Sequence, residues 1–282
     1  MFRKGIVDLE SLSFASHYLR MIPDGSENIL ATGTGFIYEY DKVFYLITNG
    51  HNITRLNPET NERINSSIAF PVKIRTKFRV FLNDIEPIVI ETILFDIYLY
   101  HDTDFKIPKW FIHPRYGYLV DVIAIPLSNL PSDCKLFPIN SYDFDDKGIL
   151  ANPSDDVFII GFPLDMSGGK ELPIWKKGTI ATEPGIDLDD LPKILVDTAT
   201  RHGMSGSPVI FQRIGVHGYN KKLPNTFDDL RIGMIRSFLG VYSGRIGAED
   251  NFKAQLGIVW KKTVIDEILE AKKRGSIDFQ DI

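Results

Sequence analysis

The chain has 282 residues, 44% of them hydrophobic, which suffices for a full core in one or two domains without staples. Its 32 basic and 37 acidic residues give a net charge of -5, so the basic excess of a nucleic-acid binder is missing and no nucleic-acid partner is expected. The one cysteine, Cys134, allows no intrachain disulfide and points to a reducing compartment, the cytoplasm.

Met1 to Glu10 brings in acidic side chains at once, so no apolar signal-peptide core forms. No run reaches the length of a bilayer span, and no membrane association is expected. A short helix is expected near Leu12–Met21. Short apolar or alternating runs follow at Gly35–Tyr40, Val43–Thr48, Phe78–Leu82, Ile88–Ile90 and Val120–Leu127. Turn formers such as Pro23-Asp24-Gly25 and Tyr40-Asp41-Lys42 separate them. A polar loop, Asn57–Ser67, lengthens the stretch between His51 and Asp121.

The strand pattern breaks around Asn129–Asn140, where Pro131 and Pro138 fall, and predicts two units, 1–135 and 136–282. Further strand-like runs come at Asp156–Phe162, Ile194–Val196, Pro208–Phe211 and Phe238–Tyr242. Many short strands with frequent turns read as an all-β sandwich or barrel. Val264, Ile265, Ile268, Leu269 and Ala271 then fall near helical spacing, before a basic turn and Gly275. That pattern predicts one terminal helix over 262–274.

Three local sequences carry chemistry. In Thr48-Asn49-Gly50-His51, a histidine sits just past an apolar strand, where a loop can aim it into a cleft. In Val120-Asp121-Val122-Ile123, a carboxylate opens an apolar strand, where it needs a partner. Gly203-Met204-Ser205-Gly206-Ser207-Pro208 is a tight turn into a strand. A serine hydroxyl needs an adjacent base to act as a nucleophile. Histidine is the natural base near neutral pH. A buried carboxylate fixes the imidazole tautomer. Small residues let the amides of Gly203 and Ser205 face a developing oxyanion. The candidate catalytic residues are therefore His51, Asp121 and Ser205.

Other candidates are weaker. Asp96, Asp102 and Asp104 lie in polar surroundings. Ser207 is read as a packing residue, and His17, His101, His113 and His217 as ordinary histidines. Cys134 is read as a free thiol. No Cys/His ligand spacing appears, so no metal site is inferred, and the chemistry needs no cofactor.

These segments resemble the chymotrypsin-like (trypsin-fold) serine peptidases, in the manner of bacterial-type intracellular trypsin-like domains. The order is His, Asp, Ser, as in that family. Gly203 to Pro208 is similar to the family's Gly-Asp-Ser-Gly-Gly-Pro. Gly240-Val241-Tyr242-Ser243 resembles the strand that carries a serine beside the catalytic aspartate. Leu256–Trp260 and the following helix resemble the family's last elements. The resemblance covers about residues 30–275. It implies two six-stranded antiparallel β-barrels with a C-terminal helix, His and Asp on the first and Ser on the second. It also implies serine endopeptidase activity on protein or peptide substrates.

The resemblance implies a substrate pocket near Ala199, Ser243 and Arg245. Ala199 stands where trypsin-like enzymes carry an acidic pocket base, which argues against a basic residue before the scissile bond. Arg245, with His202 or Arg201, would favour an acidic one. Met204 replaces the aspartate that pairs with a new N-terminus in secreted members, so no such zymogen switch is expected. An activating partner or ligand takes its place among the expectations. Two alternative functions stand beside the peptidase: a gated or inactive protease-fold sensor, and an esterase using the same three residues.

Overall fold

A computed structural model describes residues 9–58, 60, 62–64, 69–81, 90–142, 144, 150–199, 201–218, 230–245 and 256–276. The first half holds β1 (Ser16–Pro23), β2 (Ala31–Tyr40), β3 (Val43–Thr48), the one-turn helix α1 (His51–Thr54), β4 (Pro71–Phe81), β5 (Ile90–Tyr98), β6 (Phe111–Ile112), β7 (Ile123–Pro126) and β8 (Cys134–Lys135). The second half holds β9 (Asp156–Gly161), β10 (Ile174–Ile180), β11 (Lys193–Asp197), β12 (Pro208–Gly218), β13 (Leu230–Arg245), β14 (Leu256–Lys261) and α2 (Thr263–Ala271).

The second set closes into a six-stranded antiparallel barrel in the order β10-β11-β14-β13-β12-β9. The first set forms an eight-stranded antiparallel sheet, β5-β4-β1-β2-β3-β7-β6, with β8 on β4. Eight strands stand where six are expected, because β6 and β8 are two-residue strands too short to leave a pattern.

Several strands are apolar on both faces, and the packing explains why. Side chains alternate across a strand, so neighbours enter different cores. On β3, Leu46 enters the core of the first sheet and Ile47 the shared core between the sheets. On β2, Ile37 and Phe36 divide in the same way. On β12, Val209 and Phe211 fill the barrel while Ile210 enters the shared core. That shared core joins Phe36, Ile47 and Ala124 to Ile160, Phe238 and Trp260, and it fixes the two sheets against each other.

Two helix expectations change. Residues 12–21 form a 3₁₀ turn at Ser11–Phe14 and then β1. Leu19 and Met21 alternate with Tyr18 and Arg20, a period of two, and β1 is paired on both sides by β2 and β4. The terminal helix ends at Ala271, three residues before the expected stop. Lys272 takes the left-handed conformation (φ 48°) and caps Ile268 O. Gly275 serves packing instead: its N–H donates to Trp110 O at 3.0 Å, and a Cβ there would strike the Trp110 indole.

Helix α2 buries Val264, Ile265, Ile268 and Leu269 in the shared core. Tyr38 OH donates to Asp266 at 2.8 Å, and His113 Nε2 donates to Glu267 at 2.6 Å. Past the helix, Ile112 N–H donates to Lys273 O at 2.9 Å. The last described turn therefore straps the barrel to the first sheet.

Candidate active site

His51 opens α1, immediately after β3. The turn closes on Gly50 O, which accepts from the N–H groups of Ile53 and Thr54, both at 2.9 Å. Asp121 lies just before β7, the neighbour of β3. Asn49 Nδ2 donates to the Asp121 carbonyl at 2.6 Å and ties the two segments together.

The Asp121 side chain is 1% exposed. A carboxylate so buried needs hydrogen bonds to offset its lost hydration, and it accepts three. His51 Nδ1–H donates to Oδ2 at 2.6 Å, His51 N–H to Oδ1 at 2.9 Å, and Ser243 Oγ–H to Oδ2 at 2.5 Å. Since an ionised carboxylate only accepts, Nδ1 is the donor here, and in the neutral imidazole Nε2 then carries the lone pair.

Ser205 sits in the turn between β11 and β12. Gly203 and Gly206 both have φ +87°, a region that favours glycine. A Cβ at Gly203 would strike the Phe162 carbonyl, and one at Gly206 the Thr34 carbonyl. The first sheet holds the turn in place. Thr34 N–H donates to Ser205 O at 2.8 Å, Thr34 Oγ1 to Gly203 O at 2.7 Å, and Asn52 Nδ2 to Ser205 O at 3.3 Å. Among the described residues, neither the Gly203 nor the Ser205 amide donates to an acceptor within the chain. Met204 is fully buried in the barrel core.

Ser205 Oγ donates to the Ser243 carbonyl at 3.4 Å, while Ser243 Oγ reaches Asp121. The fold thus brings His51, Asp121, Ser205 and Ser243 into one network. No hydrogen bond joins Ser205 Oγ to His51 among the described residues. Such bonds are often long in unliganded sites and tighten with substrate.

The remaining candidates fall elsewhere. Ala199 is exposed before the Ser205 turn. Arg245 ends β13 opposite Gly257, and its side chain lies outside the described residues. Ser207 is fully buried. Asp96 pairs with Lys73 and Arg75, and Asp102 accepts from the amides of Lys106 and Ile107. His17 is buried and His113 pairs with Glu267. Among the described residues, no group of three or more His, Cys, Asp or Glu gathers to hold a metal ion.

The sequence reading missed Asn49, Asn52 and Thr34 as the residues that position the others. Gly33-Thr34-Gly35 was the available signal. A Cβ at Gly33 would meet Asn52 Nδ2 at 2.7 Å, so that glycine admits the neighbour's side chain.

The family model of the trypsin-like peptidase domain matches residues 33–216, well over half of the chain. The protein belongs to the trypsin-like peptidase family. Its fold is the mostly-β arrangement of that family, a barrel and a barrel-like sheet with a C-terminal helix. Among solved structures, the serine endoprotease from Yersinia pestis is similar, with 14% identity, 94% of this chain and 67% of that chain covered, and a TM-score of 0.47. An inactive form of Rv3671c from M. tuberculosis is also similar, with 14% identity, 92% of this chain and 86% of that one covered, and a TM-score of 0.44. No curated protein sequence matches the chain.

Proposed function

We propose that the protein is a serine endopeptidase that cleaves peptide bonds through Ser205, His51 and Asp121. The observation that carries this reading is the buried Asp121 carboxylate, which takes His51 Nδ1–H at 2.6 Å and so leaves Nε2 free to act as base. Ser205 Oγ adds to the scissile carbonyl carbon as its proton passes to His51 Nε2. The amides of Gly203 and Ser205 stabilise the oxyanion. The C–N bond breaks as Nε2 returns the proton to the leaving amine. Water then attacks the acyl-enzyme, with Nε2 as base again, and Ser205 is restored. No cofactor enters this scheme, and the substrate is a protein or peptide.

One observation favours a second reading, a gated sensor. Ser205 Oγ donates to Ser243 O, so the hydroxyl must swing towards His51 before reaction. An activating partner or ligand would supply that change.

Labelling with a fluorophosphonate probe tests both. Labelling of the wild type but not of Ser205→Ala or His51→Ala supports the peptidase. A well-folded wild type that takes no label overturns it in favour of the gated reading.

A further inference from the structure

A second cleft opens beside the Ser205 turn, on the outer face of β1, β4 and β5. The loop from Phe162 to Glu171 forms its opposite wall. This wall also supports the Ser205 turn: Leu164 N–H donates to His202 O at 2.9 Å, and the Phe162 carbonyl abuts Gly203. The cleft and the candidate active site therefore share this wall.

Its charge is unbalanced. Arg20, Arg75, Lys77 and Arg79 line it, against Asp165 and Glu171. Arg75 is neutralised by Asp96 and Glu27, and Lys77 by Glu171 at 2.5 Å. Asp165 accepts from Thr32 Oγ1 at 2.5 Å. Among the described residues, Arg20 and Arg79 form no salt bridge, although both lie within the field of the Glu171 carboxylate that Lys77 already holds. Arg20 lies directly opposite Arg75 across the β1–β4 pair, with its guanidinium over the Tyr18 ring. Arg79 is only 5% exposed, and among the described residues its guanidinium makes one hydrogen bond, to the Phe14 carbonyl at 3.3 Å, and lies against the Phe14 ring. Arg79 lines the cleft, so the donors of its guanidinium that lack a protein partner face the cleft opening. An anion in the cleft would answer both cations.

The spacing selects the kind of anion. Arg75, Lys77 and Arg79 occupy alternate positions of β4 and so share one face. Same-face positions on a strand lie about 7 Å apart, which is also the repeat of alternate side chains along an extended peptide. Arg75 and Lys77 are already paired, so the open cations are Arg20, opposite Arg75, and Arg79 four positions along β4, about 13 Å apart, a gap that an extended polypeptide spans and a small free anion does not.

We infer that this cleft binds an extended acidic stretch of polypeptide, with Arg20 and Arg79 as its anchoring residues. Resting on the peptidase reading, that stretch is a segment of the substrate flanking the scissile bond, and Arg20 and Arg79 set a preference for acidic residues there. The two arginines act in binding and touch no reacting bond.

The test uses the full chain carrying Ser205→Ala, so that bound peptide persists. Fluorescence anisotropy compares a labelled octapeptide with glutamate at alternate positions against its glutamine counterpart. The glutamate peptide is expected to bind about tenfold or more tightly, a gap that narrows as salt is added. Arg79→Gln should abolish the preference and Arg20→Gln should reduce it severalfold. Arg20 is half-buried at the cleft wall, so its variant keeps the test valid if Arg79→Gln fails to fold. Equal binding of the two peptides overturns the inference, as does a preference that survives both substitutions. Displacement of the peptide by micromolar inorganic phosphate overturns it in favour of a small-anion site. Probe labelling of the wild type separates the two readings. Labelling without a glutamate preference removes the cleft and keeps the peptidase. A glutamate preference without labelling keeps the cleft and removes the peptidase.

Discussion

Ser243 donates its hydroxyl to Asp121 at 2.5 Å, from β13 of the barrel to a residue of the first sheet. Asp121 is thereby held from both sides, by His51 of its own sheet and by Ser243 of the other. The same residue's carbonyl accepts from Ser205. Ser243 is thus the residue through which the carboxylate and the candidate nucleophile sense each other's position.

Ser243→Ala removes one of the three hydrogen bonds to the buried carboxylate. A hydrogen bond to a charged group contributes about 1.5–3 kcal/mol. The expected outcome is a fall in kcat of about tenfold or more, with KM little changed, in steady-state peptide hydrolysis. An unchanged kcat would separate Ser243 from the mechanism.

Asp121→Asn keeps the shape of the side chain and loses its charge. The amide can present an N–H to Nδ1, which pushes the imidazole proton to Nε2 and removes the base. A drop in kcat of roughly 10⁴ is expected, with a circular dichroism spectrum like that of the wild type. Wild-type turnover in this variant would exclude Asp121 as the orienting group.

Gly203→Ala meets both the positive φ and the Phe162 carbonyl. The turn must shift, at a cost of about 1–3 kcal/mol, and the two free amides shift with it. Loss of fluorophosphonate labelling and a lower Tm are expected together. Gly117 is the contrast: its φ is +54° with nothing near a Cβ, so Gly117→Ala should leave labelling intact.

His17 makes stability depend on pH. Burial, chiefly, and the nearby Arg79 charge pull its pKa down to about 3. Below its ordinary value near 6.5 the unfolded chain takes up a proton that the folded chain refuses. Stability is then complete above about pH 6.5 and falls as pH drops towards 3. Between pH 7 and 5 the loss is about 2 kcal/mol. The ring packs edge-on against Phe78, so His17→Phe preserves the shape of the site. Urea unfolding at the two pH values should show this variant losing less stability than the wild type. An equal loss would mean that other groups set the acid sensitivity.

Much of this was legible in the sequence, for a physical reason. β3 and β7 are buried on both faces over most of their length, so they read as nearly unbroken apolar runs, and His51 and Asp121 stand out at their ends. The Ser205 turn announces itself through two glycines that its backbone requires. β1 was misread because its partners, β2 and β4, lie elsewhere in the chain and no local signal shows the pairing. β6 and β8 have two residues each and carry no period at all. Neither Arg20 nor Arg79 is singled out in the sequence analysis. The pairing of β1 with β4 brings them to one cleft, where among the described residues neither forms a salt bridge.

The strap formed by β14 and α2 also sets a schedule for the chain. During synthesis His51 and Asp121 emerge first, then Ser205, then Ser243. β13, which carries Ser243, has β14 as its neighbour in the closed barrel, and α2 then locks that barrel onto the first sheet. A growing chain stopped short of residue 256 holds the candidate catalytic residues and Ser243 yet lacks β14 and α2, which close the barrel and bind it to the first sheet. On the proposed peptidase reading, hydrolytic competence is expected only once these last elements are in place.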